Sequence, residues 1–534
     1  MSGPNSEYTA NTSTISRRAT GESTNPVGPA DGATAVSRRL ASVLTADTVQ
    51  PQERAMTTST VVAPRRRGAA LLLGAQWVRY LSQLAGLVLL ARLVGPADAG
   101  IVALAGALAG LAAVLGDFGL SMAALRAPTL TAAQRTSLFW ANTVIGLIAT
   151  GLVVAVAPAF AAFYDDPRLI PVLAVLAPAF VLRSASAQFR VELNRSGRLG
   201  RLAAAELAGD LIGLAAAIVL ALLGGGALAL ASQGGVAALV TLGATVILTP
   251  WHPGLPRRGS DMRGLLTFGG HTFLVHALNY VSTNIGTLAV GRVANDRAVG
   301  LFSRATQLVN LPIDQLVTPL TRVVVPTLAD ASDPTPLEDR LAKYQTALSY
   351  PVLAYVSLFA VTAEPAIRVV LGAPWAGAAA YVPIFAIGAV FQTLGYPQYW
   401  AFVATGRSGL LLWCEATGRI LMIALVVALS ALGPAGVAVA MSIGQFALWA
   451  AAFLVLPRTG VSSVRLLRAS LRPVGVFTVG AIVASVVDVS FFTPLDPGLR
   501  LLAAGGAWAI VVGTLLPLVA RRDLRSLWGA LRRR

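Results

Sequence analysis

Residues 91–105 have the sequence ARLVGPADAGIVALA, and residues 291–305 have the related sequence GRVANDRAVGLFSRA. A second pair consists of GRLGRLAAAELAG at 197–209 and GRSGLLLWCEATG at 406–418. This second pair matches at Gly197/Gly406, Arg198/Arg407, Gly200/Gly409, Leu202/Leu411, Glu206/Glu415 and Gly209/Gly418. Both pairs are about 200 residues apart and lie at the ends of long apolar segments, so they predict a duplicated membrane bundle.

The composition is that of a polytopic membrane protein. The 534 residues are 55% hydrophobic and only 12% charged, and the mean hydropathy is +0.70. A soluble domain carries about twice that charged fraction. The formal charge of +17 does not indicate nucleic-acid binding, because the basic residues cluster in alternate short loops and at both ends, as orientation signals do.

The sequence indicates no catalytic chemistry. A single cysteine, Cys414, excludes an intramolecular disulfide, and the three histidines form no Cys/His cluster typical of zinc sites. The chain contains no phosphate-binding glycine-rich loop with lysine, no zinc motif and no nucleophile elbow. We therefore expect no catalytic residue, no metal and no cofactor.

A membrane-spanning helix needs about 20 apolar residues. Fourteen segments meet this requirement: 69–93, 99–124, 138–163, 168–187, 203–224, 227–249, 264–292, 299–325, 345–370, 377–403, 409–432, 434–456, 473–492 and 500–520. If the N-terminus is cytoplasmic, the outer connections hold only Arg92, Arg168, Arg292, Arg297, Arg368 and Arg500. The other loops are rich in arginine, so the positive-inside rule predicts a multi-pass protein of the cytoplasmic (inner) membrane with both termini cytoplasmic.

The predicted fold is all-α, with two parallel six-helix repeats and two added C-terminal helices. We name residues 66–250 the N-lobe (spans 1–6) and residues 263–457 the C-lobe (spans 7–12). Residues 472–520 supply the added spans 13 and 14. Residues 1–65 are polar and predict a disordered cytoplasmic tail, and residues 521–534 form a basic cytoplasmic tail.

Polar residues follow one helical face in several spans. The stripe on span 8 comprises Ser303, Gln307, Asn310, Asp314, Thr318 and Thr321, at steps of three and four residues. A single Ser or Thr within a span is explained by hydrogen bonding between helices. A charge at the centre of a span costs about 2.5–3.5 kcal/mol, so charged residues should face a watery cavity or one another. We predict that spans 1, 2, 7 and 8 line one central cavity.

The candidate substrate-binding residues of this cavity are Gln76, Arg79, Gln83, His276, Asn279, Arg304, Gln307 and Asn310. The candidate coupling or charge-balancing residues are Asp117, Asp314, Glu206, Asp210 and Glu415. Glu206 with Asp210, and Glu415 with Arg419, have an i, i+4 spacing that puts each pair on one helix face. This spacing favours a structural polar cluster in each lobe.

A family resemblance rests on three runs of the N-lobe and two of the C-lobe. These are RLVGPADAGIVALAGALAGLAAVLGDFGLSMAALR, LTAAQRTSLFWANTVIGL, AFYDDPRLIPVLAVLAPAF, LTFGGHTFLVHALNYVSTNIGTLAVGRV and AVGLFSRATQLVNLP. They resemble lipopolysaccharide/O-antigen-type polysaccharide exporters of the multidrug/oligosaccharidyl-lipid/polysaccharide (MOP) flippase superfamily. The resemblance implies two six-helix lobes arranged in a V, sometimes with two added helices.

The same resemblance implies a function in cell-surface polysaccharide biosynthesis. A lipid-linked oligosaccharide, usually an undecaprenyl-pyrophosphate glycan, would cross the membrane by alternating access, and Arg79 and Arg304 are the positions that fit binding of its anionic head. Asp117 and Asp314 depart from the basic character expected of such a cavity. They either hold the arginines in salt bridges or take up protons during the transport cycle. The implied partners are the substrate, membrane lipids and polysaccharide polymerase or glycosyltransferase machinery.

Other classes of protein remain open at this point. A drug/cation antiporter of the same superfamily would favour acidic cavity residues, and the predicted cavity contains both signs of charge. A polytopic glycosyltransferase or polymerase would need a sizeable outer loop with catalytic carboxylates, whereas the outer connections here are short. A scaffold or receptor that transports nothing would not need long polar stripes.

Overall fold

The computed structural model of the protein describes residues 66–117, 120, 124–125, 130–255, 263–330, 335–521 and 523, and its description leaves out the side chains at 66–77, 114–117 and 263–276. The tail predicted at 1–65 and nearly all of the tail at 521–534 therefore lie outside the described residues. The described residues form one compact unit.

The described residues are helical almost throughout, and they include no strand. The helices are α1 (Arg66–Leu93), α2 (Pro96–Asp117), α3 (Ala132–Phe163), α4 (Leu169–Leu176), α5 (Pro178–Arg195), α6 (Leu199–Leu222), α7 (Gly226–Leu248), α8 (Arg263–Val293), α9 (Asp296–Ala329), α10 (Leu337–Val370), α11 (Val382–Ala404), α12 (Ser408–Leu429), α13 (Gly433–Val455), α14 (Ser463–Val487) and α15 (Pro497–Val519). Helices α4 and α5 together form one span. The predicted all-α polytopic fold class is confirmed.

Each of the fourteen predicted spans falls on a helix or on a pair of consecutive helices. Among the described residues, ten helical segments are long and apolar enough to cross a membrane, and one of them, Ser408–Thr459, contains both α12 and α13. The criterion needs 18 residues, and the described side chains of α1 and α8 cover fewer than that. Helix α9, which carries the polar stripe of span 8, does not meet the criterion. The count of fourteen spans therefore stays a prediction.

The second sequence repeat has the same backbone conformation in both copies. Gly197 and Gly406 each have φ +69°, a conformation that glycine adopts without steric cost. Each following residue, Arg198 or Arg407, donates its backbone N–H over 2.9 Å to a carbonyl five residues earlier. Such bonds satisfy carbonyl groups at the end of one helix while the chain turns into the next. The matching glycines thus mark the same turn before α6 and before α12.

The first sequence repeat forms a close crossing between α2 and α9. A Cβ atom added to Gly100 would overlap the carbonyl oxygen of Asp296 and lie 2.9 Å from the backbone nitrogen of Gly300. A Cβ atom added to Gly300 would overlap the carbonyl oxygen of Pro96 and lie 3.1 Å from the nitrogen of Gly100. The contact is therefore reciprocal between positions 200 residues apart, as expected for duplicated helices that meet at a two-fold axis.

The α2–α9 crossing defines one end of the bundle. We call the end where α1 turns into α2 (94–95) and α8 turns into α9 (294–295) the closed end. Away from it, α6 packs against α1 and α7 in the N-lobe, while α12 packs against α8 and α13 in the C-lobe. The corresponding helices of the two repeats thus have corresponding neighbours.

The last two helices pack on α10. Trp508 of α15 stacks on Phe477 of α14 with ring centroids 6.2 Å apart, and its indole N–H donates to the hydroxyl of Ser357 over 3.1 Å. Arg500 of α15 forms ion pairs with Glu364 of α10 and with the buried Asp488 at the end of α14. These contacts fix the added helices against the C-lobe.

Candidate functional site

Arg79 of α1 is held by two carboxylates of α6. Its Nη1 donates to Oε2 of Glu206 over 2.9 Å, and its Nε lies 2.7 Å from Oδ2 of Asp210. The two acidic residues are one turn apart, so both carboxylates reach α1 from the same face of α6. Asp117 was one predicted partner of Arg79, whereas the structure gives Glu206 and Asp210 as its partners among the described side chains.

Glu206 also binds a second cation. Arg190 of α5 donates through Nε over 3.1 Å and through Nη2 over 2.5 Å to Oε1 of Glu206. One carboxylate therefore connects α1 with α5, and the cluster holds the N-lobe together. This ion pair was not predicted from the sequence.

A cavity of about 370 Å³ lies in the N-lobe beside this cluster, with Arg183, Ser184, Arg190 and Asn194 of α5 in its lining. Arg183 makes no side-chain hydrogen bond or ion pair with any residue that the structure describes. It lies twelve residues before the end of α5 at Arg195, or about 18 Å along the helix axis. The sequence analysis missed Arg183, although the charge count that selected Arg79 and Arg304 would have found it within span 4.

A second cavity, of about 540 Å³, is lined by α1, α2, α7 and α9 and includes residues of both lobes. Gln83, Arg304 and Gln307 line it as predicted, together with Gln233 of α7. Arg304 donates from Nη1 to Oε1 of Gln307 over 2.9 Å, and its guanidinium carbon lies 4.9 Å from the ring centroid of Trp375. An aromatic face attracts a cation without neutralising it. We call this the Arg304 cavity.

The remaining predicted residues of α9 line a third cavity within the C-lobe. This C-lobe cavity, of about 710 Å³, is lined by α8, α9, α11, α12 and α13 and includes Asn279, Asn310, Asp314 and Glu415. In its lining, Arg419 forms an ion pair with Glu415 at 2.7 Å. Arg419 also donates to the hydroxyl of Ser282 over 2.8 Å.

The prediction of a single central cavity is thus wrong in one respect. The polar residues of α9 are divided between two cavities. Helix α9 packs against α2 near the closed end and against α11 farther along, where Trp400 donates to the hydroxyl of Thr321 over 2.9 Å. Arg304 and Gln307 consequently face the N-lobe helices, whereas Asn310 and Asp314 face into the C-lobe.

Three of the predicted site residues lie where the structure describes no side chain. These are Gln76, His276 and Asp117. Among the described residues, no group of three His, Cys, Asp or Glu side chains is placed to hold a metal ion.

The lobes are joined at the closed end by contacts on both sides of the α2–α9 crossing. Arg168, in the turn before α4, binds both Asp166 and Asp296, the first residue of α9. The hydrogen bonds that Arg168 donates to Asp166, together with the negative charges of Asp166 and Asp296, raise the pKa of Arg168. The hydroxyl of Tyr164 donates to the carbonyl of Leu288 over 3.0 Å. These contacts close the space between α3 and α8.

On the other side of the crossing, α1 is joined to the end of α10 and to the short 3-10 helix Ala373–Tyr381. Arg92 donates to the carbonyls of Val370 over 3.0 Å and Val369 over 2.5 Å. The buried indole of Trp375 donates to the carbonyl of Ala91 over 2.8 Å. Trp375 therefore binds α1 at the closed end while its ring contacts the guanidinium group of Arg304.

Comparison with known sequences relates the chain to membrane proteins of polysaccharide synthesis. Residues 89–380 match the family model described as "Polysaccharide biosynthesis protein". The chain is 23% identical over 312 residues to the teichuronic acid biosynthesis protein TuaB of Bacillus subtilis (strain 168), a match that covers 56% of this chain and 63% of that protein. It is 24% identical over 255 residues to the lipopolysaccharide biosynthesis protein WzxC of Escherichia coli (strain K12), covering 47% and 51%. The matches span less than two thirds of these relatives.

Two solved structures have a similar fold. The lipid II flippase MurJ, in an inward closed conformation, matches with a TM-score of 0.62 and 15% identity, covering 85% of this chain and 99% of that one. An inward-facing multidrug resistance transporter of the MATE family, within the MOP superfamily, matches with a TM-score of 0.51 and 18% identity, covering 75% and 98%. At these identities the similarity concerns the fold.

Proposed function

Because the chain belongs to the polysaccharide biosynthesis protein family, whose model matches residues 89–380 of its 534, we propose that it moves a lipid-linked oligosaccharide across the cytoplasmic membrane. The transport would proceed by alternating access between the N-lobe and the C-lobe and would supply cell-surface polysaccharide synthesis. The roles of these relatives in teichuronic acid and lipopolysaccharide biosynthesis support this substrate class. The fold shared with a lipid II flippase supports the mode of transport.

One observation carries the proposal most strongly. The two lobes meet closely at the closed end, at Gly100 and Gly300, and the Arg304 cavity lies directly beside this crossing between helices of both lobes. A cavity shared by two lobes that meet at one end is the arrangement that alternating access requires, since rocking of one lobe against the other exposes the same residues to either side.

Arg304 is the residue best suited to the anionic part of the substrate. Among the described residues it has no carboxylate partner, and its guanidinium group lies over the face of Trp375. Arg79, in contrast, is balanced by Glu206 and Asp210. A guanidinium group pairs two oxygens of a phosphate at once, which suits a pyrophosphate such as that of an undecaprenyl-pyrophosphate glycan. We therefore assign the pyrophosphate to Arg304 and a mainly structural role to Arg79.

The charge distribution supports a direction of transport. Under the positive-inside rule the connections at the closed end, which contain Arg92 and Arg292, face outward and both chain termini face the cytoplasm. The contacts of Arg168 and Tyr164 would then close the outer side, and the substrate would enter from the cytoplasm. Polymerase and glycosyltransferase machinery would supply and use the transported molecule, and membrane lipids would surround the bundle.

A drug/cation antiporter is the second candidate. It is favoured by the fold shared with a MATE-family transporter and by Asp314, a carboxylate in the C-lobe cavity that has no ion-pair partner among the described residues. The chain is similar to transporters and not to catalytic enzymes. This similarity argues against the alternative that it is a polytopic glycosyltransferase or polymerase.

The experiment replaces Arg304 by Ala in cells whose surface polysaccharide depends on this protein. We expect surface polysaccharide to be lost while the amount of protein in the membrane, measured by immunoblot, stays unchanged. The matched control is Arg458→Ala, which removes an exposed arginine from the turn after α13 and should leave export normal. Normal export by Arg304→Ala at an equal protein level would contradict the proposed role of Arg304.

A further inference from the structure

The C-lobe cavity has a lining unlike that of the other two cavities. The N-lobe cavity and the Arg304 cavity each present guanidinium groups with few neighbouring aromatic rings. The C-lobe cavity, of about 710 Å³, also has guanidinium groups in its lining, those of Arg322 and Arg419, and it adds many side-chain amides, hydroxyls and aromatic rings from five helices. Its volume falls in the range of about 300–1,000 Å³ that encloses small organic ligands. The pyrophosphate site assigned to Arg304 lies outside this cavity.

The amides of this cavity are available for a ligand. Asn310 of α9 and Gln445 of α13 line it, and neither side chain makes a hydrogen bond with any residue that the structure describes. Between membrane helices, such amides normally bind one another or a neighbouring backbone group. An amide supplies both donors and acceptors, so it can bind a hydroxyl group in either direction. Asp314, on the same face of α9, adds a carboxylate that accepts hydrogen bonds.

Aromatic rings form another part of the lining. Tyr396 and Tyr399 of α11 and Trp449 of α13 line the cavity. Trp449 is fixed by neighbouring rings, since its centroid lies 5.5 Å from that of Phe391 and 5.3 Å from that of Phe453. A rigid aromatic face next to hydroxyl-binding groups matches a sugar ring, which has apolar C–H faces and a rim of hydroxyls.

The position of the cavity along α9 also fits a sugar. Asn310 is six residues beyond Arg304, and Asp314 is ten residues beyond it, so they lie about 9 Å and about 15 Å along the helix axis. In a lipid-linked glycan the first sugar is bonded directly to the phosphate. A pyrophosphate held at Arg304 would therefore place the attached sugars within reach of the C-lobe cavity.

We infer that the C-lobe cavity is the glycan-recognition site, where Asn310, Gln445 and Tyr399 bind the hydroxyls of the sugars while Arg304 binds the pyrophosphate. This inference rests on the proposed function, because it divides the same substrate between two sites. It assigns substrate selectivity to the C-lobe cavity and anion binding to the Arg304 cavity.

The test uses the full-length protein in lipid nanodiscs and two probes. One probe is the free oligosaccharide released by mild acid from the lipid-linked pool of the host, and the other is undecaprenyl pyrophosphate without sugar. Binding of the oligosaccharide is followed by saturation-transfer NMR, and binding of undecaprenyl pyrophosphate by native mass spectrometry. The variants are Gln445→Leu and Asn310→Leu, which remove an amide but keep most of the side-chain volume, and Tyr399→Phe, which removes only a hydroxyl.

We expect each amide variant to weaken oligosaccharide binding by about five- to tenfold, the effect of losing one or two hydrogen bonds, and to leave the affinity for undecaprenyl pyrophosphate unchanged. Retained binding of undecaprenyl pyrophosphate also shows that a variant is folded. The matched control Thr417→Ala changes an exposed residue of α12 outside the cavity lining and should bind both probes like the wild type.

The inference is overturned if the oligosaccharide binds the three variants as tightly as the wild type, or if it does not bind the wild type. It is also overturned if a monovalent organic cation such as tetraphenylphosphonium binds the cavity in competition with the oligosaccharide and is exported in its place. Failure of the proposed function is a separate outcome, since it is the absence of lipid-linked oligosaccharide flipping by wild-type protein. Normal flipping by the wild type with unaffected oligosaccharide binding in the variants refutes only the glycan site.

Discussion

The α2–α9 crossing makes Gly100 a sensitive point of the proposed transport cycle. In Gly100→Ala the new methyl group would overlap the carbonyl oxygen of Asp296 and lie 2.9 Å from the nitrogen of Gly300. Non-bonded heavy atoms prefer about 3.5 Å or more, so the contact with the nitrogen alone requires a separation of about 0.6 Å, and the overlap with the carbonyl oxygen requires more. Both neighbouring atoms belong to the backbone, and no side-chain rotation relieves the overlap. Overpacking of this kind costs about 1–3 kcal/mol.

This cost falls on the conformation in which the closed end is shut. A free-energy difference of about 1–3 kcal/mol changes the ratio of two conformations by about 5- to 150-fold. Gly100→Ala should therefore increase the population with the closed end open by that factor, and it should slow flipping, because the cycle requires the closed end to shut again.

The measurement uses a chain with one reactive thiol, made by Cys414→Ala and Ser303→Cys. Ser303 lines the Arg304 cavity. A membrane-impermeant maleimide added from the outside labels this position only when the closed end opens. We expect the labelling rate to rise about 5- to 150-fold in Gly100→Ala.

The control is Gly106→Ala in the same helix, where an added Cβ meets no atom within 4 Å. It should label and flip like the parent chain. Equal labelling rates in the parent and in Gly100→Ala, or an equal effect of both substitutions, would show that the crossing does not govern access to the cavity.

Three further predictions concern the charged residues and the topology. Arg79→Gln leaves Asp210 without its ion-pair partner and Glu206 with Arg190 alone, so it should lower the free energy of unfolding by about 1–3 kcal/mol, with partial recovery on adding Asp210→Asn. Thermal unfolding in detergent measures both effects, and full stability of the single variant would exclude the structural role. Arg183→Gln removes a cation that has no hydrogen-bond or ion-pair partner among the described residues, so it should slow flipping at least about tenfold without loss of thermal stability. A drop in thermal stability with normal flipping would contradict a role of Arg183 in transport. Reporter fusions at Gly225 should be active outside and those at Arg258 inside the cell, and the reverse result at either position would refute the predicted orientation.

The sequence predicts features that depend on local spacing. The repeated glycines at 197 and 406 foretell the same helix-ending turn in both lobes, since a left-handed φ favours glycine wherever it occurs. The repeated segments at 91–105 and 291–305 predict two helices in equivalent positions of the two lobes. In the structure, Gly100 and Gly300 make the same backbone contact from the two sides of the crossing. Helical periodicity likewise identifies the face of α9 that carries polar residues.

Partners across helices are beyond the reach of such patterns. Arg79 and Glu206 are 127 residues apart, and nothing in their local spacing distinguishes Glu206 from Asp117 as the partner. The division of the α9 stripe between two cavities depends on which helix packs against each part of α9, a property of the whole bundle. Arg183 was visible as a charge within a span, but only the structure shows that it lines a cavity.

The most direct test of the proposed function is flipping by the purified wild-type protein in liposomes. Undecaprenyl-pyrophosphate-linked oligosaccharide from the host is incorporated in both leaflets, and the glycan exposed outside is removed with a glycosidase that cannot enter. We expect continued loss of glycan from the inner leaflet with wild-type protein and little loss with Arg304→Ala or with empty liposomes. Equal protection of the inner-leaflet glycan in wild-type and empty liposomes, together with proton- or sodium-coupled export of an organic cation, would contradict the flippase and establish the antiporter instead.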